Sequence, residues 1–144
     1  MTFADYPQVG SGWAFPPRWS MPDDGDGGLG TVAVVATNAG LDHVQEAMVT
    51  VLRTMRGARV MRPGFGASVD LYVLEPRTSE VCYQLADSVR RALMLGEPRV
   101  IVDSVTATPA GDADDRVDVM IEYRIDRHRR PTSLVVPFFV GGAA

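Results

Sequence analysis

The chain has 144 residues, 46% hydrophobic and 22% charged, with a formal net charge of −4. That length suits one domain with a buried core, and an acidic chain is not expected to bind nucleic acid. One cysteine excludes an internal disulfide, and two histidines 85 positions apart argue against zinc.

No apolar run reaches the ~18–20 residues of a membrane span, and the N-terminal MTFADYPQV has no secretory apolar stretch. No membrane insertion, metal or cofactor is expected. All 14 basic residues are arginine, so positive charge sits only on planar groups suited to fixed carboxylate pairs.

Residues 1–30 carry Pro7, Gly10, Gly12, Pro16, Pro17 and Pro22, then DDGDGGLG. They show neither helical nor strand period and read as an extended arm with a flexible joint. Trp13, Phe15 and Trp19 lie within it. Disordered linkers are poor in aromatics, so this arm is expected to lie on something, either its own sheet or a partner. Gly25–Gly30 matches G-x-G-x-x-G but does not join a strand to a helix, as a dinucleotide loop must. A calcium loop would need a ligand at Gly28 and a Glu at Val35.

Residues 31–144 read as a single α+β domain. Thr31–Thr37 is β-branched and predicts a strand. Asp42 and Gln45 are spaced as a capping box. Val44, Met48, Val51, Leu52 and Met55 then form the apolar stripe of a helix ending near Gly57. RGARVMRPGFG is a loop.

A second helix starts at Thr78 or Ser79, after Pro76, and stops at Gly96 and Pro98. Its inner face is Cys82, Leu85, Ala86, Val89 and Leu93, which makes Cys82 a buried thiol. Strands follow at Arg99–Thr108, Val117–Asp126 and Ser133–Val140; in the second, Val117, Val119, Ile121 and Tyr123 alternate with polar residues and Met120. Two helices packed on a small, mainly antiparallel sheet result.

Candidate chemistry is sparse. No G-x-S-x-G elbow occurs, and no catalytic residue is assigned. Asp70, Glu75, Glu97 and Glu122 keep open an alternative, a lysozyme-like carboxylate glycosidase acting on peptidoglycan, which needs two acids across a cleft. Arg124, Arg127, His128, Arg129 and Arg130 form a basic knot, either a solvated hairpin tip or a contact for an acidic partner. Glu-Pro-Arg occurs at 75–77 and 97–99, bracketing the second helix. The proline fixes the turn and the flanking charges project in set directions, or pair locally.

The order of features resembles the phage baseplate wedge and sheath-initiator family (GPW-like) of contractile phage tails, type VI secretion systems and related injection particles. The matching pieces are Gly12-Trp13-Ala14-Phe15-Pro16-Pro17-Arg18, Arg59-Val60-Met61-Arg62-Pro63-Gly64-Phe65-Gly66, Leu74-Glu75-Pro76, Ala92-Leu93 leading into Glu97-Pro98-Arg99, and Leu134–Phe139. Arg56-Gly57-Ala58 departs from the commoner Pro-Gly-Glu, so the ion pair of that missing acid is not expected.

The resemblance implies a structural protein that is no established enzyme, although a lysozyme label travels with the family. It implies six copies in a ring, on the baseplate wedge proteins around the inner tube or hub proteins, where the sheath protein begins to assemble. It also implies assembly in the cytoplasm into a phage tail-like particle. By carry-over, Glu97, Pro98, Arg99 and Arg62 meet the wedge.

The residues suggest how a sheath could start. Ser133–Val140 is apolar, and Pro137 within it argues for an edge strand. Leu134, Val135, Val136, Pro137, Phe138 and Phe139, beside Val117–Asp126, are the expected docking edge for a sheath arm. Trp13, Phe15, Pro16, Pro17, Arg18 and Trp19 are the expected arm-docking set.

Overall fold

The computed structural model describes residues 6, 9–21, 33–72, 74–110, 116–125 and 130–139. Two compact units divide the chain, Met1–Glu46 and Ala47–Ala144. The division falls inside the first helix, α1 (Gly40–Arg53).

The N-terminal unit pairs short strands. β1 (Ser11–Trp13) is antiparallel to β4 (Thr37–Ala39), and β2 (Trp19–Ser20) is antiparallel to β3 (Val34–Val35). This corrects the expectation of an arm without strands, because ladders of two or three residues are too short to leave a period. It also corrects the single strand expected over Thr31–Thr37. Ala36 breaks that run by turning its backbone to two different partners, donating to the Arg18 carbonyl and accepting from the Ala14 N–H. Residues 22–30, with the glycine-rich motif and the calcium-like acids, lie outside the described residues.

Helix α1 starts two residues earlier than the capping box predicts. Gly40 enters it at φ +63°, a conformation cheap only for glycine, and turns the chain directly out of β4. Asp42 therefore sits in the first turn, opposite in sign to Arg53 in the last, and both complement the helix dipole. The helix ends at Arg53, so Met55 leaves the predicted stripe and is 55% exposed.

The C-terminal unit follows the sequence closely. A 3-10 turn (Val69–Tyr72), not expected from the sequence, precedes α2 (Ser79–Gly96). Thr78 caps α2, its Oγ accepting from the Val81 N–H at 3.3 Å. Glu80 accepts from Gln84, and Asp87 pairs with Arg91, both one turn apart. Cys82, Leu85, Ala86, Val89, Ala92 and Leu93 are buried.

The three-stranded antiparallel sheet runs β5 (Ile101–Pro109), β6 (Arg116–Arg124), β7 (Thr132–Phe139), with β6 central. Val117, Val119, Ile121 and Tyr123 face the core, and α2 packs against the sheet at β5. The expected strand ends Asp126 and Val140 lie outside the described residues, as do Arg127, His128 and Arg129 of the basic knot. Gly96 lets α2 approach α1: a Cβ there would stand 2.8 Å from Val51 Cγ1, inside any normal contact.

Candidate assembly surfaces

The two edges of the sheet differ. On β5 the register shifts between Val102 and Ser104, and Pro109 closes the strand. A bulge and a proline blunt an edge. A groove of about 490 Å³ lies along this strand, floored by Cys82, Tyr83 and Ala86 of α2.

β7 runs in unbroken register from Thr132 to Phe139. The phase of its hydrogen bonds follows from one contact. The Arg116 carbonyl accepts from the Ala110 N–H at 2.9 Å, on the β5 side. Its pair with Phe139, and every second pair after it, therefore leaves the β7 backbone groups pointing away from β6. Ser133, Val135, Pro137 and Phe139 are those positions. Proline costs no ladder bond there. Of the expected edge residues, Val136 is buried and Leu134 and Phe138 are half-buried. Val135, Pro137 and Phe139 are exposed, beside Met120 on the outer face.

At the end of α2, the Glu97 backbone N–H bonds the Leu93 carbonyl at 2.9 Å, and its side chain is buried. Arg99 grips that carboxylate with two charge-assisted bonds, Nε to Oε1 and a terminal nitrogen to Oε2, both 2.6 Å. The hydrogen bond and charge of Glu97 hold the Arg99 pKa above its ordinary value, outweighing partial burial. Pro98 is exposed at this corner. The first tripeptide is built differently: Glu75 and Pro76 are exposed, ahead of the Thr78 cap.

In the N-terminal unit the expected docking residues are brought together outside. Trp13, Phe15 and Trp19 are exposed, as are Pro16, Pro17 and Arg18. Glu46 ties this turn to α1, a role the sequence did not suggest. Its carboxylate accepts from the Phe15 N–H at 3.3 Å and from Asn38 Nδ2 at 2.5 Å.

A fourth surface extends well beyond the Arg62 contact that the resemblance implies. Arg53, Arg56, Arg59 and Arg62 recur every third residue, and no acid occurs between 47 and 69. That spacing and that gap were the available signal. Arg59 lies 4.1 Å from the Phe65 ring centroid and Arg62 lies 5.9 Å from it.

Asp70, Glu75, Glu97 and Glu122 line none of three grooves seen among the described residues. Glu97 is committed to Arg99, and Glu122 accepts from Ser104 Oγ at 2.7 Å. Asp70 and Glu75 are exposed. A groove of about 480 Å³ along α2 contains Glu80 and Asp87 instead, each already bonded to its own helix. Among the described residues no group of three His, Cys, Asp or Glu could hold a metal, and no helix is long and apolar enough to cross a membrane.

Edges, an aromatic turn and a basic loop, on a small α+β framework, define a protein whose distinctive features are its surfaces. The family model described as baseplate wedge protein gp25 matches residues 38–130. Baseplate protein W of Escherichia phage P2 is 31% identical over 97 residues, covering 67% of this chain and 83% of that protein. A crystal structure from Geobacter sulfurreducens, of a protein provisionally called a tail lysozyme, aligns with a TM-score of 0.62 at 36% identity over 70% of this chain and 91% of that one. A chain in the six-fold-symmetrised cryo-EM baseplate of the anti-feeding prophage shares the fold, with a TM-score of 0.61 at 21% identity over 94% of this chain and 89% of that one. The chain belongs to the gp25 family of baseplate wedge proteins, structural components of contractile, phage tail-like particles.

Proposed function

We propose that this baseplate component initiates the sheath, and that β7 is the strand on which the first sheath subunit docks. The observation that carries this reading is the unbroken register of β7, with the backbone groups of Ser133, Val135 and Phe139 turned outward. An extended arm of the sheath protein adds to such an edge through main-chain bonds, and alternate side chains give selectivity. Val135 and Phe139, exposed on the outer face, would supply those alternate contacts. Pro137 removes one donor from the middle of the edge and so discourages unprogrammed pairing.

The other surfaces complete the subunit's placement in this reading. Pro98, Arg99 and Arg62 meet the wedge proteins, with Glu97 holding the Arg99 fork rigid from below. The Trp13–Trp19 turn docks on a neighbouring subunit or on tube or hub proteins, tying six copies into a ring. Assembly takes place in the cytoplasm, and no catalytic step is assigned.

Val135→Pro tests the edge. It deletes an outward N–H without deleting a ladder bond to β6, so the sheet should persist. Sheath polymerisation on baseplates carrying it should fall by at least about tenfold, the cost of roughly one to two lost hydrogen bonds, while incorporation into the baseplate is unchanged. Normal sheath growth with a folded Val135→Pro subunit would refute docking on β7.

A further inference from the structure

The charge of this chain is segregated. Residues 47–69 hold four arginines and no acid, while the other 121 residues hold ten arginines and all 18 acids. All four side chains are exposed, and none makes an ion pair or hydrogen bond among the described residues. A cluster of like charges with no carboxylate bonded to it repels itself and gains when an opposite charge arrives.

The loop that carries Arg56, Arg59 and Arg62 is held by its own backbone bonds. Gly57 N–H bonds the Pro63 carbonyl at 3.1 Å, Arg62 N–H the Arg59 carbonyl at 3.2 Å, and Phe65 N–H the Arg62 carbonyl at 3.0 Å. Ala67 closes the base, bonded to Thr54 at 2.9 Å. Met61 stands at φ +69° and is 91% exposed. A bulky residue is strained in the left-handed region, yet this side chain stays in solvent. Behind it is a hollow of about 330 Å³, with Met61, Phe65 and Leu95 as apolar lining and Arg56 and Arg62 at the rim.

We propose, resting on the baseplate reading above, that this hollow receives an acidic segment of another baseplate protein, with one apolar side chain seated among Met61, Phe65 and Leu95 and flanking carboxylates held by Arg56 and Arg62. Charge complementarity selects an acidic occupant. The lining selects a polypeptide over a nucleic acid. Bases need an open aromatic face to stack on, and the one ring here already carries Arg59 at 4.1 Å. Met61 and Leu95 offer aliphatic contact that a phosphate backbone cannot use.

The test uses the full chain and purified baseplates assembled without it, with affinity followed from about 50 to about 300 mM salt. Wild-type binding should weaken steeply with salt. Arg56→Gln with Arg62→Gln should weaken binding at least about tenfold at low salt and flatten the salt dependence. Met61→Ser should weaken it about fivefold at every salt concentration, leaving the slope intact. Salt-independent wild-type binding, or variants within about twofold of wild type, would overturn the inference. So would competition by a single-stranded DNA of about 30 nucleotides, the polyanion outcome, or concentration-dependent self-association lost in the arginine variant, the second-copy outcome. If wild type does not bind these baseplates at all, the baseplate reading itself fails.

Discussion

The same tripeptide stands at both ends of α2 and does two different things. Glu75-Pro76-Arg77 precedes the helix with its acid in solvent, and Thr78 caps the helix instead. Glu97-Pro98-Arg99 follows the helix with its acid buried and gripped by two 2.6 Å bonds. Position relative to the helix decides. A residue just past a C-terminus is drawn under the last turn by its own N–H bond, here to Leu93, and a carboxylate carried inward must take a partner. Glu75 is also held by its own N–H, to the Tyr72 carbonyl at 3.2 Å, but that bond closes the short 3-10 turn ahead of α2 and leaves the carboxylate in solvent.

Substitutions should separate the two ends, the largest effect first. Arg99→Leu strands the Glu97 carboxylate and should cost about 2–3 kcal/mol, toward the low side for a broken buried pair because Arg99 is partly exposed. Thermal denaturation should then show a fall of roughly 5–10 °C. Replacing both partners, Glu97→Leu with Arg99→Leu, should recover most of that stability, since no unpaired charge remains. If incorporation into baseplates stays low in the recovered double variant, the pair also faces the wedge; if it returns, the pair serves only the fold. Thr78→Ala, at the other end, should cost about 1 kcal/mol by chemical denaturation, the ordinary value of a lost N-cap. Glu75→Gln should stay within about 0.5 kcal/mol of wild type. A Glu75 effect as large as that of Arg99 would erase the distinction.

The two tripeptides also mark what was legible. Their helix was read within a residue at each end, because a cap, an apolar stripe and a proline stop agree there. The sheet was read within two residues at each end inside the described range, since β6 alternates cleanly. The proline in β7 correctly indicated an edge. Glu97 could be foreseen as a local pair but not as a buried one, because burial depends on where the helix end packs. The N-terminal ladders were illegible, being shorter than any period. The start of α1 was misplaced because Asp42 and Gln45 imitate a cap, whereas the turn is made by Gly40. Of the basic loop, the resemblance points to Arg62, while the three-residue spacing of Arg53, Arg56, Arg59 and Arg62 marks the rest.

The exposed turn at Trp13–Trp19 has a practical consequence. The chain has two tryptophans, both in the N-terminal unit, 72% and 71% exposed. Intrinsic fluorescence is therefore an optical reporter confined to that unit. Unfolding of the helix–sheet unit should register by circular dichroism with little change in tryptophan emission, and the two melting curves need not coincide. On incorporation into a baseplate, a shift of emission to shorter wavelength would record the indoles leaving water, without any added label. Unchanged emission in the assembled particle would mean that these rings still face solvent and take no part in joining subunits.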